Sequence, residues 1–169
     1  MMHRHPRSGR DVRVGFTLVE ILAVIVILAI VAVAAVPYAV GTSDMAAVSA
    51  ARKIAAAMEY AQSEAITAQE PIQVSFDTSA ESFELLRANT SATLIHPMTQ
   101  EAYRVEFGSE DGLGDVDIAS ADFGGAAFVE FDELGAPVSG GTVTVQVGSY
   151  AYDVSVASAT GRVTVTEQP

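Results

Sequence analysis

Cysteine is absent from the 169 residues. That excludes a disulfide framework, thiolate catalysis and a cysteine-ligated zinc site, and it leaves the redox compartment open. Basic residues are scarce: nine Lys and Arg stand against 21 Asp and Glu, for a net charge of −12. Four of the nine, Arg4, Arg7, Arg10 and Arg13, lie in the first 15 residues beside the single carboxylate of Asp11. That leader is therefore +3, which leaves −15 for the rest of a chain whose total is −12. The remaining cations, Arg52, Lys53, Arg87, Arg104 and Arg162, form no run. Clustered cations that release counterions from phosphates supply most nucleic-acid affinity, so no nucleic-acid partner is expected. Histidine is rare too. His3 and His5 fall in the leader, and His96 stands alone beside Pro97 and reads as a surface-loop residue. No serine, histidine and aspartate form a recognisable nucleophile motif, so neither an enzyme nor a cofactor is expected.

Charge is missing altogether between Ile21 and Ser43. A helix over that stretch rises about 1.5 Å per residue, enough to cross a ~30 Å hydrocarbon core. Positive charge beside a membrane helix stays cytoplasmic, which places the acidic remainder on the outer side of an inner membrane. The order of parts is unusual. An ordinary secretory signal runs basic, apolar, then a small-residue cleavage site. Here Gly15-Phe16-Thr17-Leu18-Val19-Glu20 puts the small residue before the apolar run. Cleavage at Gly15 would remove the leader and leave the helix on the mature chain.

Glu20 sits just inside that apolar run. A carboxylate in a membrane helix costs about 2.5–3.5 kcal/mol on insertion scales and calls for a partner, or for a route back to the headgroups one turn away. Pro37 removes a backbone donor and is expected to bend the helix or loosen a turn. Beyond Asp44 the pattern becomes amphipathic. Ala47, Ala51, Ile54, Met58, Ala61, Ala65 and Ala68 recur at spacings of three and four, one face of a helix that is mostly alanine and admits close packing. Pro71 ends it.

The remainder reads as strands with one buried face each. Ile72, Val74 and Phe76 alternate with polar residues, as do Val143, Val145 and Val147, and Gly148-Ser149 forms a two-residue hairpin turn. Further strands are expected at 83–86, 103–107, 128–131, 150–156 and 162–166. The fold class is therefore α+β: a long N-terminal transmembrane and amphipathic helix packed on a small antiparallel β-sandwich of seven or eight strands. The divisions are a leader at 1–15, a transmembrane and assembly helix at 16–40, its amphipathic half at 41–70, and a β-rich domain at 71–169. Asp111, Asp115 and Asp117, spaced by glycines, are a weak calcium candidate that fails the EF-hand spacing, and a solvated acidic loop is the plainer reading.

The segment from Gly15 to Glu20, with the long helix and Pro37, resembles the class III signal of type IV pilins and type II secretion pseudopilins. Ala61-Gln62-Ser63-Glu64-Ala65-Ile66, Phe131-Asp132-Glu133-Leu134-Gly135 and Gly161-Arg162-Val163 resemble segments of minor pseudopilins of the H type and related minor pilins. The resemblance implies cleavage after Gly15 by a prepilin peptidase and methylation of the new amino terminus at Phe16. It implies that Glu20 pairs with the free amino terminus of a neighbouring subunit. The partners it implies are other pseudopilins or pilins, an inner-membrane assembly platform, and a secretin or exported proteins. A minor pseudopilin supporting the export of folded proteins is the leading expectation, and a minor type IV pilin of a surface pilus the alternative. A membrane-anchored enzyme or solute-binding module would need converging polar residues, and no cluster in the sequence suggests them.

Overall fold

A computed structural model describes residues 17–168, apart from the side chains of 33–42. One helix, α1 (Leu18–Ala68), occupies the first third. Thr17 caps it: its Oγ1 accepts the Glu20 backbone N–H at 3.2 Å, satisfying one of the orphan donors of a helix start. The assignment is unbroken across Pro37 and Gly41, while the side chains around the bend expected at Pro37 lie outside the described residues. At the other end Gln69 takes the left-handed conformation (φ 54°), and Glu70 N–H returns to Ala65 C=O at 3.3 Å. This is the wrap-around closure usually given to glycine, here made by glutamine, and the helix stops at Ala68, two residues short of the expected 70. The chain divides between Ala39 and Val40 into two compact units.

Within the second unit nine strands follow α1: β1 (Ile72–Asp77), β2 (Ser82–Arg87), β3 (Ala92–Thr93), β4 (Arg104–Glu106), β5 (Asp117–Asp122), β6 (Phe128–Phe131), β7 (Gly141–Val147), β8 (Tyr150–Val156) and β9 (Val163–Glu167). They form two antiparallel sheets. One has the order β3-β2-β1-β6, with β4 also on β2; the other has the order β5-β7-β8-β9. The β7–β8 hairpin pairs Val147 with Tyr150 across Gly148-Ser149. Gly148 has φ 61° and Ser149 is not in the left-handed region, the pattern of a type II′ turn.

Helix and sheets share one core. Ala47, Ala51, Ile54, Met58, Ala61 and Ala65 are fully buried, and Ala68 is partly exposed at the fraying end. Ala50 and Ala57 are buried too, which widens the stripe. The alternating strand positions Val74, Val143, Val145 and Val154 lie opposite them in the same cluster. Phe76 of β1 stacks on Phe123 just beyond β5, with centroids 5.8 Å apart, joining the two sheets through aromatic surface.

Two strands were not expected. β3 is two residues long, and β5 buries only Ile118 and carries a bulge between Ile118 and Ser120, so neither shows the period of two. The expected strand at 103–107 is shorter, because Phe107 begins a 3-10 turn, Phe107–Ser109.

Candidate assembly site

The described start of α1 is apolar all round, and its side chains face solvent. Leu18, Val19, Ile21, Leu22, Val24 and Ile25 are between 46% and 83% exposed, although they are large and apolar. Residues of this kind so exposed need a partner or a lipid environment. No helix among the described residues carries an apolar stretch long enough to cross a membrane. Gly15 and Phe16 lie outside the described residues.

Thr17 and Glu20 stand at the cap and the third helical position, the Thr-x-x-Glu spacing of a capping box, of which the bond from Glu20 N–H to Thr17 Oγ1 is made. Glu20 also lies in the first turn, where the positive end of the helix dipole favours a carboxylate. The helix start thus favours a carboxylate at Glu20 by position, and the T-x-x-E spacing carries that in the sequence.

The domain half of α1 is tied to the β-rich part at three points, one on a strand and two in turns. Tyr152 Oη donates to Asp44 Oδ1 at 2.7 Å, 108 residues apart in sequence. That hydrogen bond, with burial, pushes the Tyr152 hydroxyl up to about 12. Gln62 Nε2 donates to Gly135 C=O at 2.7 Å. Lys53 pairs with Glu110 at 2.6 Å, a half-exposed contact worth at most about 1 kcal/mol. All three motif segments meet here. The Asp132 carboxylate accepts Leu134 and Ala136 N–H at 2.9 and 2.8 Å, closing the turn after β6, and Gly135 has φ 79°. A Cβ on Gly135 would come within 2.7 Å of Ile66 Cδ1, and one on Gly161 within 2.4 Å of Gln62 Nε2. The glycines of both motifs therefore let the turns close on the end of the helix.

Asp111 and Asp115 lie in the turn before β5, and Asp117 begins that strand, where its Oδ2 accepts from Gln146 Nε2 at 2.8 Å. Among the described residues no group of three His, Cys, Asp or Glu is gathered so as to hold a metal ion, this loop included. His96 is half-buried against the Tyr103 ring, edge-on at 4.5 Å, and its Nδ1 accepts Met98 and Thr99 N–H. It organises its own loop.

A residue missed in the sequence is Glu81. It holds φ 47° in the turn between β1 and β2, and its carboxylate accepts Ile118 N–H of β5 at 2.5 Å, a bond from one sheet to the other. Burial raises its carboxyl above the ordinary range, the Ile118 N–H opposes the rise, and the Asp117 and Asp77 carboxylates add to it.

The model of the family described as type II transport protein GspH matches residues 50–161, about two thirds of the chain. The minor pseudopilin EpsH of the type 2 secretion system of Vibrio cholerae superposes with a TM-score of 0.54 at 11% identity, over 72% of this chain and 96% of that one. The type IV minor pilin FimU of Pseudomonas aeruginosa superposes with a TM-score of 0.50 at 18% identity, over 73% of this chain and 88% of that one. At such identities the likeness is one of fold. None of the curated proteins matches the chain.

Proposed function

Because this chain belongs to the family of type II transport protein GspH, we propose that it is a minor pseudopilin, a structural subunit of a type II secretion pseudopilus that supports export of folded proteins. The match over residues 50–161 carries the reading, and the leader, glycine junction and apolar run in the sequence agree with it. The chain enters the inner membrane with its leader in the cytoplasm and its acidic domain in the periplasm. A prepilin peptidase cuts between Gly15 and Phe16, and Phe16 is methylated. Removal of the leader exposes the new amino terminus. The apolar start of α1 then packs against its equivalents in neighbouring subunits, and each Glu20 neutralises a neighbour's amino terminus. That pairing relieves the charge in the apolar layer and sets the axial register. The domain does no chemistry. It presents surface to the secretin, to exported proteins or to other pseudopilins on the inner-membrane platform.

A second reading, a minor type IV pilin that primes or decorates a surface pilus, rests on the likeness to FimU. A clean deletion in the source organism separates the two. Folded exoproteins retained in the periplasm, with surface pili intact, support the secretion reading. Intact secretion with lost pili, twitching or transformation overturns it in favour of the pilus.

A further inference from the structure

The face of α1 turned away from the core has a repeat of its own. Met45, Arg52, Glu59 and Ile66 stand seven residues apart, and Ser49, Ala56 and Ser63 stand between them on the same seven-residue repeat. All of these side chains are exposed, Met45 at 68% and Ile66 at 48%. At about 100° per residue they lie half a turn of helix from the buried stripe that carries Ala47, Ile54 and Ala61. Alternating steps of four and three are the seam along which two helices pack as a coiled coil.

The charges on this seam are unmatched within the chain. Among the described residues Lys53, Arg87 and Arg104 each have a carboxylate partner, while Arg52 and Glu59 join no ion pair. Seven residues put them about 10.5 Å apart along the helix, too far to satisfy each other. A second helix decides what they meet. Two copies inserted in one membrane by the same leader point their α1 helices the same way, a direction that rests on the proposed function. A parallel pair in register sets Arg52 on Arg52 and Glu59 on Glu59, and like charges across a seam repel. Displaced by one heptad, the same two helices set Arg52 on Glu59, so the charge pattern selects the stagger.

We infer that the exposed face of α1 packs on the same face of a second copy of this chain, parallel and displaced along the axis by seven residues. In the copy displaced toward its carboxyl end, Arg52 stands against the other copy's Glu59. Its Ser49 faces Ala56 and its Ala56 faces Ser63, so small residues meet and the helices approach closely. Its Met45 lies along the aliphatic stem of the other copy's Arg52. Both helices keep the direction that membrane insertion gives them. The core lies on the far side of each helix from the seam, so the two acidic β-rich parts face apart. The repulsion left between them is screened beyond about 8 Å at physiological salt, and contacts in the seam decide the pairing.

The chain has no native cysteine, so introduced thiols report the stagger directly. Two full-length versions with different tags, one carrying Ser49→Cys and the other Ala56→Cys, are co-expressed and mildly oxidised in membranes. A mixed disulfide of the two versions is expected. Ser49→Cys alone sets its thiols about 10.5 Å apart along the axis and is expected to give several-fold less dimer. Arg52→Glu in both versions is expected to lower the mixed dimer roughly three- to tenfold, and Arg52→Glu with Glu59→Arg to restore it. The melting temperature stays that of the parent throughout, because both positions are exposed. Monomer only, equal linking of Ser49→Cys to itself, linking to Ser63→Cys in place of Ala56→Cys (the mark of antiparallel helices), an adduct with a different protein, or a charge swap that fails to restore the dimer overturns the inference. The deletion experiment separates the two readings. No mixed dimer from a chain whose deletion still blocks secretion overturns the pairing alone, and a mixed dimer with secretion untouched keeps the pairing and overturns the secretion role.

Discussion

Glu20 answers to two demands. It stands at the third position of a helix capped by Thr17, and it lies in an apolar run where a carboxylate needs a counter-charge. The two are separable, because glutamine serves the capping box as well as glutamate but carries no charge. Glu20→Gln is therefore expected to leave the protein inserted and cleaved, yet to deplete it several-fold from sheared fibres when membrane and fibre fractions are compared by immunoblot. Normal co-assembly of the variant would refute the pairing role. Glu81 is the second residue where charge and geometry pull apart. Its folded carboxyl is raised, so between the unfolded and folded values the folded state holds the extra proton. Stability from this group is present at low pH and falls as pH rises through that window. Glu81→Gln keeps the acceptor for Ile118 N–H and removes the charge. Its melting temperature at pH 7 should equal or exceed that of the parent chain, and the difference should vanish toward pH 4. A variant that melts lower at pH 7 would show that the charge itself strengthens the intersheet bond.

Along the helix, alanine sets the distance to the sheets. Ala61 is fully buried on the face turned to the core, and Ala56 is exposed on the other. Ala61→Leu inserts three carbons where the backbones are close and should cost about 1–3 kcal/mol, read as a lower denaturation midpoint of the full chain in detergent. Ala56→Leu should leave the midpoint within about 0.5 kcal/mol. Equal effects at both positions would mean that the stripe does not set the packing. This face was legible in the sequence because burial on a helix repeats at 3.6 residues, and the strands with a strict period of two were legible for the matching reason. β5 was not. With one buried residue, a bulge and polar ends, its place is decided by β7 on one side and Glu81 on the other. The Gln69 closure of α1 was equally hidden, since glycine is the residue that normally announces it.

For the whole molecule, the leader and the domain make separate demands. The leader's chemistry is written in order: four arginines, a glycine, a phenylalanine, then the apolar run. Mass spectrometry of the membrane form is expected to find a chain beginning at methylated Phe16. A chain still beginning at Met1 in peptidase-competent cells overturns the processing. The acidic surplus and the missing cysteines narrowed the function classes before any fold was known, because net charge and thiol chemistry do not depend on which residues meet. Local periodicity likewise determined the helix, most strands and the α+β class. Only the tertiary structure decided which distant groups touch: Tyr152 with Asp44, Gln62 with Gly135, Glu81 with Ile118. Those contacts join residues far apart along the chain, and no repeat in the sequence encodes a partner that only folding brings within hydrogen-bond reach.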